Sequence, residues 1–179
     1  MKYSYARFLV LATIVFAAAN FWLNQTGVQT IKTASAMSFY NSGNLANDFD
    51  DDAQQILDLV NAERRKKRLT ELEWDRDLAR MARAYSKQMA RENFFDHLDE
   101  DGKDVADRAK SSKIKGWSKI GENLFFCEGT ARFDSFAVKG WMKSPTHRQN
   151  ILDKNWTATG IGIAEANGEI YITQVFIER

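Results

Sequence analysis

Thr159-Gly-Ile-Gly-Ile-Ala-Glu-Ala166, then Asn167-Gly168, then Glu169-Ile-Tyr-Ile-Thr-Gln-Val-Phe-Ile177 reads as two strands around a two-residue turn. Asn-Gly supplies the positive backbone angles that a tight hairpin turn requires, and the flanking residues alternate at the period of a strand. Ile161 and Ile163 fall on one side of the first strand and Gly160 and Gly162 on the other. Glycine at alternate positions leaves that side bare, so something is expected to approach the sheet closely there.

Upstream of the hairpin the period changes from two to 3.6. Asp50-Asp51-Asp52 offers capping carboxylates before Ala53, Ile56, Leu57 and Val60, which share one helical face. Asp75 predicts a second cap, with Leu78, Ala82, Tyr85 and Met89 as the buried stripe of a helix ending near Glu92. A short helix is expected over Val105 to Lys110, a strand over Trp117 to Cys127, and a helix over Thr130 to Lys143. That last helix should bury Phe133, Phe136, Ala137 and Trp141. Pro145, the chain's single proline, follows Ser144 as proline follows a hydroxyl cap at a helix start, opening a short helix to Leu152. Helices before and between strands, closed by a hairpin, give an α+β layered domain with an antiparallel sheet.

The bulk properties narrow the setting. Met1 to Arg7 is basic, and Phe8 to Ala19 is apolar for about a dozen residues, shorter than the roughly 20 a membrane helix needs. We read residues 1–36 as an export signal, with Ala34-Ser35-Ala36 as the cleavage site and Ala17-Ala18-Ala19 as the second choice. An uncleaved leader is the membrane-anchored alternative. Residues 37–50 read as a linker and 51–179 as the domain. Losing Lys2, Arg7 and Lys32 with the leader turns the formal charge from +1 to −2. That field does not draw nucleic acid. The basic run Arg64-Arg65-Lys66-Lys67-Arg68 reads as a solvated helix end that complements the helix dipole. Cys127 is the single cysteine, so no internal disulfide is available, and it reads as a buried structural thiol.

Chemistry concentrates in three places. The chain's two histidines are His97, in Phe94-Phe-Asp-His-Leu-Asp99, and His147, in Trp141-Met-Lys-Ser-Pro-Thr-His-Arg-Gln-Asn-Ile-Leu152. Between them Glu122 sits in Gly121-Glu-Asn-Leu124, among Ile120, Phe125 and Phe126, where a carboxylate needs a partner if it points inward. Two imidazoles and a carboxylate can hold a divalent metal or move a proton near neutral pH. The acidic stretch Asp99 to Asp104 does not fit a calcium loop, because Gly102 in the glycine position would make His97 and Arg108 the end ligands. Ser144 as a nucleophile served by His147 lacks a glycine-flanked turn.

His97-Leu-Asp-Glu-Asp-Gly with Asp107-Arg108-Ala109, Gly121-Glu-Asn-Leu124, the Trp141–Leu152 run, Gly160-Ile-Gly-Ile and Thr173-Gln-Val-Phe176 resemble the CAP superfamily in order. The likeness, to the SCP-like extracellular domain, covers about residues 52–178. It implies a three-layer α-β-α sandwich around a central antiparallel sheet. It also implies a cleft lined by two His and two Glu able to bind a divalent cation. His97, Glu122 and His147 match three of those four, and the fourth falls on Ser144, as in short disulfide-free bacterial members. Asn123 and the Gly160/Gly162 face then line the cleft without chemistry. The expectation is a secreted, non-catalytic module that binds an envelope or extracellular lipid, glycan or protein. It requires no cofactor and carries Zn²⁺ or another divalent cation only weakly. A metal-assisted hydrolase or peptidase, with Glu122 as base, is the alternative.

Overall fold

The hairpin forms as read: β3 (Ala158–Ala166) and β4 (Glu169–Glu178) pair antiparallel, with Asn167 at φ 57° and Gly168 at φ 80° in the turn. The computed structural model describes residues 49–129 and 132–179, so the leader, its cleavage site, nearly all of the linker and Thr130 lie outside the described residues. The remaining elements are α1 (Asp50–Lys66), β1 (Glu73–Trp74), α2 (Arg76–Glu92), α3 (Val105–Ser111), β2 (Lys119–Glu128), α4 (Phe133–Lys143) and α5 (Pro145–Leu152). Among the described residues no helix is long and apolar enough to cross a membrane.

The sheet runs in the order β1-β3-β4-β2. Its three long strands are antiparallel, as expected, whereas β1 adds two residues parallel to β3, with Glu73 opposite Ala158 and Trp74 opposite Thr159. Two residues carry no readable period, so β1 was beyond the reach of the pattern.

Alternation along the strands divides the core. Ile161, Ile163, Ile170, Ile172 and Phe176 pack against α1, α4 and α5 through Ile56, Val60, Ala137, Trp141 and Ile151. Val175, Ile177 and Ala158 pack on the opposite face against Leu78, Met81 and Ala82 of α2 and Ala109 of α3. Tyr85 and Met89 continue that layer over Leu124 and Tyr171. The architecture is the α-β-α sandwich.

The bare glycine face is the bed of α2. A Cβ on Gly160 would lie 2.2 Å from the Ala79 nitrogen, and one on Gly162 would lie 1.9 Å from the Arg83 nitrogen. The close approach is real, but what approaches is a helix backbone and not a ligand. The Ser86 hydroxyl locks the contact, reaching the Gly162 carbonyl at 3.0 Å and the Thr173 hydroxyl at 2.9 Å.

Four local expectations change. Asp50 to Asp52 form the first turn of α1 without capping it, and Asp50 pairs with Arg83 instead. Ser144 takes the N-cap position of α5 with extended backbone, but its hydroxyl meets the Thr146 hydroxyl at 3.2 Å, so proline sets the start without a side-chain cap. Phe136 is half exposed. Arg64 is fully buried and is not part of a solvated terminus. Its guanidinium donates to the carbonyls of Thr70, Ile151 and Asp153, each at 2.8 Å, satisfying backbone acceptors where α5 ends.

Candidate functional site

The site is assembled at β2, the strand that closes one side of the sheet. Helix α2 ends on Asn93, whose left-handed backbone (φ 56°) turns the chain down toward the sheet. The Tyr85 hydroxyl, two turns back into the helix layer, donates to the Asp96 carbonyl at 2.6 Å and fixes the descending segment. The Asp96 carboxylate then accepts from the Leu98 backbone N–H at 3.0 Å. His97 is thereby presented beside β2.

Glu122 points to the same face as α2, and its side chain is almost wholly buried (3% exposed). Both of its oxygens are occupied. Oε1 receives the His97 Nδ1 hydrogen bond at 2.8 Å, and Oε2 is paired with Arg108 Nη2 at 2.7 Å. An ion-paired carboxylate only accepts, so His97 carries its proton on Nδ1 and leaves Nε2 outward.

Arg108 is the residue the sequence reading quoted without assigning it a role. It lies on α3, whose start is capped by the Asp104 carboxylate at 2.9 Å from the Asp107 N–H. Its other nitrogen donates to the carbonyls of His97 (3.1 Å) and Lys103 (2.8 Å), and the guanidinium lies 3.5 Å from the centre of the Tyr85 ring. One cation therefore holds Glu122, the His97 backbone and the acidic turn together. Burial pushes the Tyr85 phenol up to about 12, so it stays a donor throughout the physiological range. The signal that could have found Arg108 is its place on the α3 face that buries Ala109, where an arginine needs an acid.

His147 arrives from the other side of the sheet, in the first turn of α5. Asn123 Nδ2 donates to its carbonyl at 3.2 Å, while Asn150 Nδ2 donates to the Glu122 carbonyl at 3.1 Å and to Asn123 Oδ1 at 2.9 Å. The two amides thus dock α5 on β2, a structural role for Asn123 where cleft lining was expected. Burial holds the His147 imidazole below its usual value, and His97 lowers it further by charge. The Glu122 hydrogen bond holds His97 above its usual value, against the opposing effect of burial. His97 and His147 are thus brought within electrostatic reach of each other, with Glu122 behind His97 and not beside it.

This donor set does not fit the three-ligand metal site read from the sequence. Glu122 is committed to Arg108 and His97, and among the described residues no group of three or more His, Cys, Asp or Glu is arranged to hold a metal ion. Two imidazoles remain. Cys127 is a half-buried free thiol, raised by burial, on the opposite face of β2.

The family model for CAP, the cysteine-rich secretory protein family, matches residues 57–176, and the chain belongs to that family. It is 39% identical over 126 residues to the uncharacterized protein YkwD of Bacillus subtilis and 34% identical over 128 residues to the uncharacterized membrane protein YlbC of the same organism. Each match covers 70% of this chain but only 47% and 34% of those relatives, so the chain spans less than half their length. Among solved structures it is similar to an extracellular SCP-domain protein of Bacillus anthracis, at 32% identity and a TM-score of 0.64, covering 73% of this chain and 41% of that one.

Proposed function

We propose that this chain is an exported, non-catalytic binding module whose two imidazoles engage an envelope or extracellular lipid, glycan or protein. The observation that carries the reading is the complete engagement of Glu122 by Arg108 and His97. A general base needs a free lone pair within reach of the proton it removes. Glu122 accepts one hydrogen bond on each oxygen and its side chain is only 3% exposed, so it is held away from a substrate proton and instead steadies His97. Near neutral pH, His97 is biased toward donating and His147 toward accepting, a combination suited to a ligand hydroxyl or acid group. Export is supported by the basic segment Met1 to Arg7, the short apolar run that follows it and the likeness to an extracellular SCP-domain protein of Bacillus anthracis.

The test uses the full chain, followed through the His97 and His147 ring signals by NMR. Lipid, glycan and peptide fractions of an envelope extract are added separately. One fraction should shift both rings, be recovered unchanged, and fail to shift the remaining ring in His147→Ala. Recovery of altered material from the wild type alone would make the protein an enzyme.

That second reading, a hydrolase, is favoured by one observation: the opposite displacement of the two imidazoles is what an acid and base pair needs. The metal-assisted form is disfavoured by the engagement of Glu122. With two imidazoles and no free carboxylate, Zn²⁺ binds weakly, and its affinity falls as the pH drops and the rings protonate. Calorimetry with Zn²⁺ alone should lose the signal in His97→Ala and in His147→Ala. Unchanged binding in both would remove the imidazoles as ligands.

A further inference from the structure

We propose that the outward edge of β2 from Leu124 to Glu128, apart from the Leu124 carbonyl that Trp141 caps, is a docking edge for an extended peptide carrying an apolar and a basic side chain two residues apart. The inference stands apart from the His97/His147 reading and uses different atoms. Among the described residues, β2 pairs with β4 on one side only. The ladder bonds fall on its odd-numbered residues, a register that Gly129 continues by donating to the Gly168 carbonyl at 2.5 Å. The N–H and C=O groups of Glu122, Leu124, Phe126 and Glu128 therefore point away from the sheet. Among the described residues, side chains cap only the upstream carbonyls: Asn150 Nδ2 on Glu122 and Trp141 Nε1 on Leu124, the latter at 2.8 Å. Downstream, Leu-Phe-Phe-Cys offers an uncharged edge without lysine, proline or bulge, the features by which edges are normally blunted. A row of alternating donors and acceptors matches one class of partner, an extended polypeptide backbone.

The flanking surface specifies the side chains. Phe126 is 38% exposed and Phe95 is 47% exposed, with ring centres 5.8 Å apart, and Phe126 also meets Tyr171 edge-on at 5.0 Å. This aromatic shelf lies on the α2 face. Next along the same face, Glu128 and Glu169 stand directly opposite each other across the strands, a like-charge pair. Tyr171 donates to Glu169 at 3.0 Å, but among the described residues no cation pairs with either carboxylate. A basic side chain two residues from an apolar one would lie beside Glu128 and next to the rings, relieving the repulsion and adding cation–aromatic attraction.

The probe is acetyl-Thr-Lys-Thr-Phe-Thr-Lys-Thr-amide, added to the full chain. Binding should slow hydrogen exchange at the Leu124, Phe126 and Glu128 amides. Methylating the Phe and Lys backbone nitrogens, exchanging Lys for Glu in the peptide, or making Glu128→Lys in the protein should each weaken binding about tenfold or more. Glu128 is exposed, so that variant keeps its thermal midpoint. Equal binding of the methylated peptide would overturn the proposal, as would no exchange protection at millimolar probe. Protection that appears with protein concentration alone would also overturn it, assigning the edge to a second copy of the chain.

Discussion

The two halves of β2 share one strand and one register yet live in different environments. At Glu122-Asn123-Leu124 all three side chains are buried, and the outward carbonyls of Glu122 and Leu124 are capped by Asn150 and Trp141. From Phe125 to Glu128 exposure alternates: Phe125 still packs on Trp141 of α4, while Phe126 and Glu128 on the other face meet solvent. The difference teaches that burial here follows polar satisfaction. α4 and α5 answer the outward β2 backbone at Glu122 and Leu124, and the same contacts fix the surroundings of Glu122.

The sharpest way to break this contrast is to strip the covered half of its cation. Arg108→Met leaves Glu122 buried without a charge partner, so stability should fall by about 3–5 kcal/mol. Denaturant unfolding of the full chain measures it, and a change below about 1 kcal/mol would mean that Glu122 escapes to solvent. Trp141→Phe orphans the Leu124 carbonyl and leaves a gap where the larger indole packed, for an expected loss of at least about 1–3 kcal/mol. In the open half the same kind of change should be mild. Phe126→Thr removes a partly exposed ring from a strand position that tolerates a β-branched residue, so it should cost under about 1 kcal/mol. A loss as large as that of Trp141→Phe would show the open half to be structurally committed.

The acidity of the two imidazoles gives a smaller effect with opposed signs. His97 is raised in the fold, so its contribution is full below the unfolded value of about 6.5 and is lost as the pH rises through the folded value. His147 is lowered, so its contribution is intact above about 6.5 and is lost as the pH falls toward the folded value. Relative to wild type, His97→Ala should therefore be most destabilised in mild acid, and His147→Ala should become relatively more stable there. Unfolding curves collected from pH 5 to 8 would show the two differences crossing.

Much of this was readable from residues. Asn167-Gly168 and its alternating flanks declared the hairpin, and the Leu78, Ala82, Tyr85, Met89 stripe declared α2, because short-range backbone and burial rules decide both. The trio His97, Glu122 and His147 was also visible as chemistry without a neighbour. What failed was partnership at long range. Arg108 carried no role in the sequence, and its partnership with Glu122 at 2.7 Å exists only because α3 brings the two together. Arg64 looked like part of a solvated run, although carbonyls some 90 positions away in the chain take its protons. The Gly160/Gly162 face predicted close approach but not by what, since a glycine records a missing side chain and not the identity of its visitor. A charge pattern carries no distance information, so ion-pair partners must be found in three dimensions.

The account turns on Glu122 serving as the anionic support behind His97. The direct measurement is the NMR titration of the His97 ring in the wild type and in Glu122→Gln, which retains the shape and a hydrogen-bond acceptor but not the charge. The wild-type midpoint should lie above about 6.5 and fall on substitution. The same midpoint in both proteins would contradict the account, leaving His97 a solvent-facing imidazole with no carboxylate behind it.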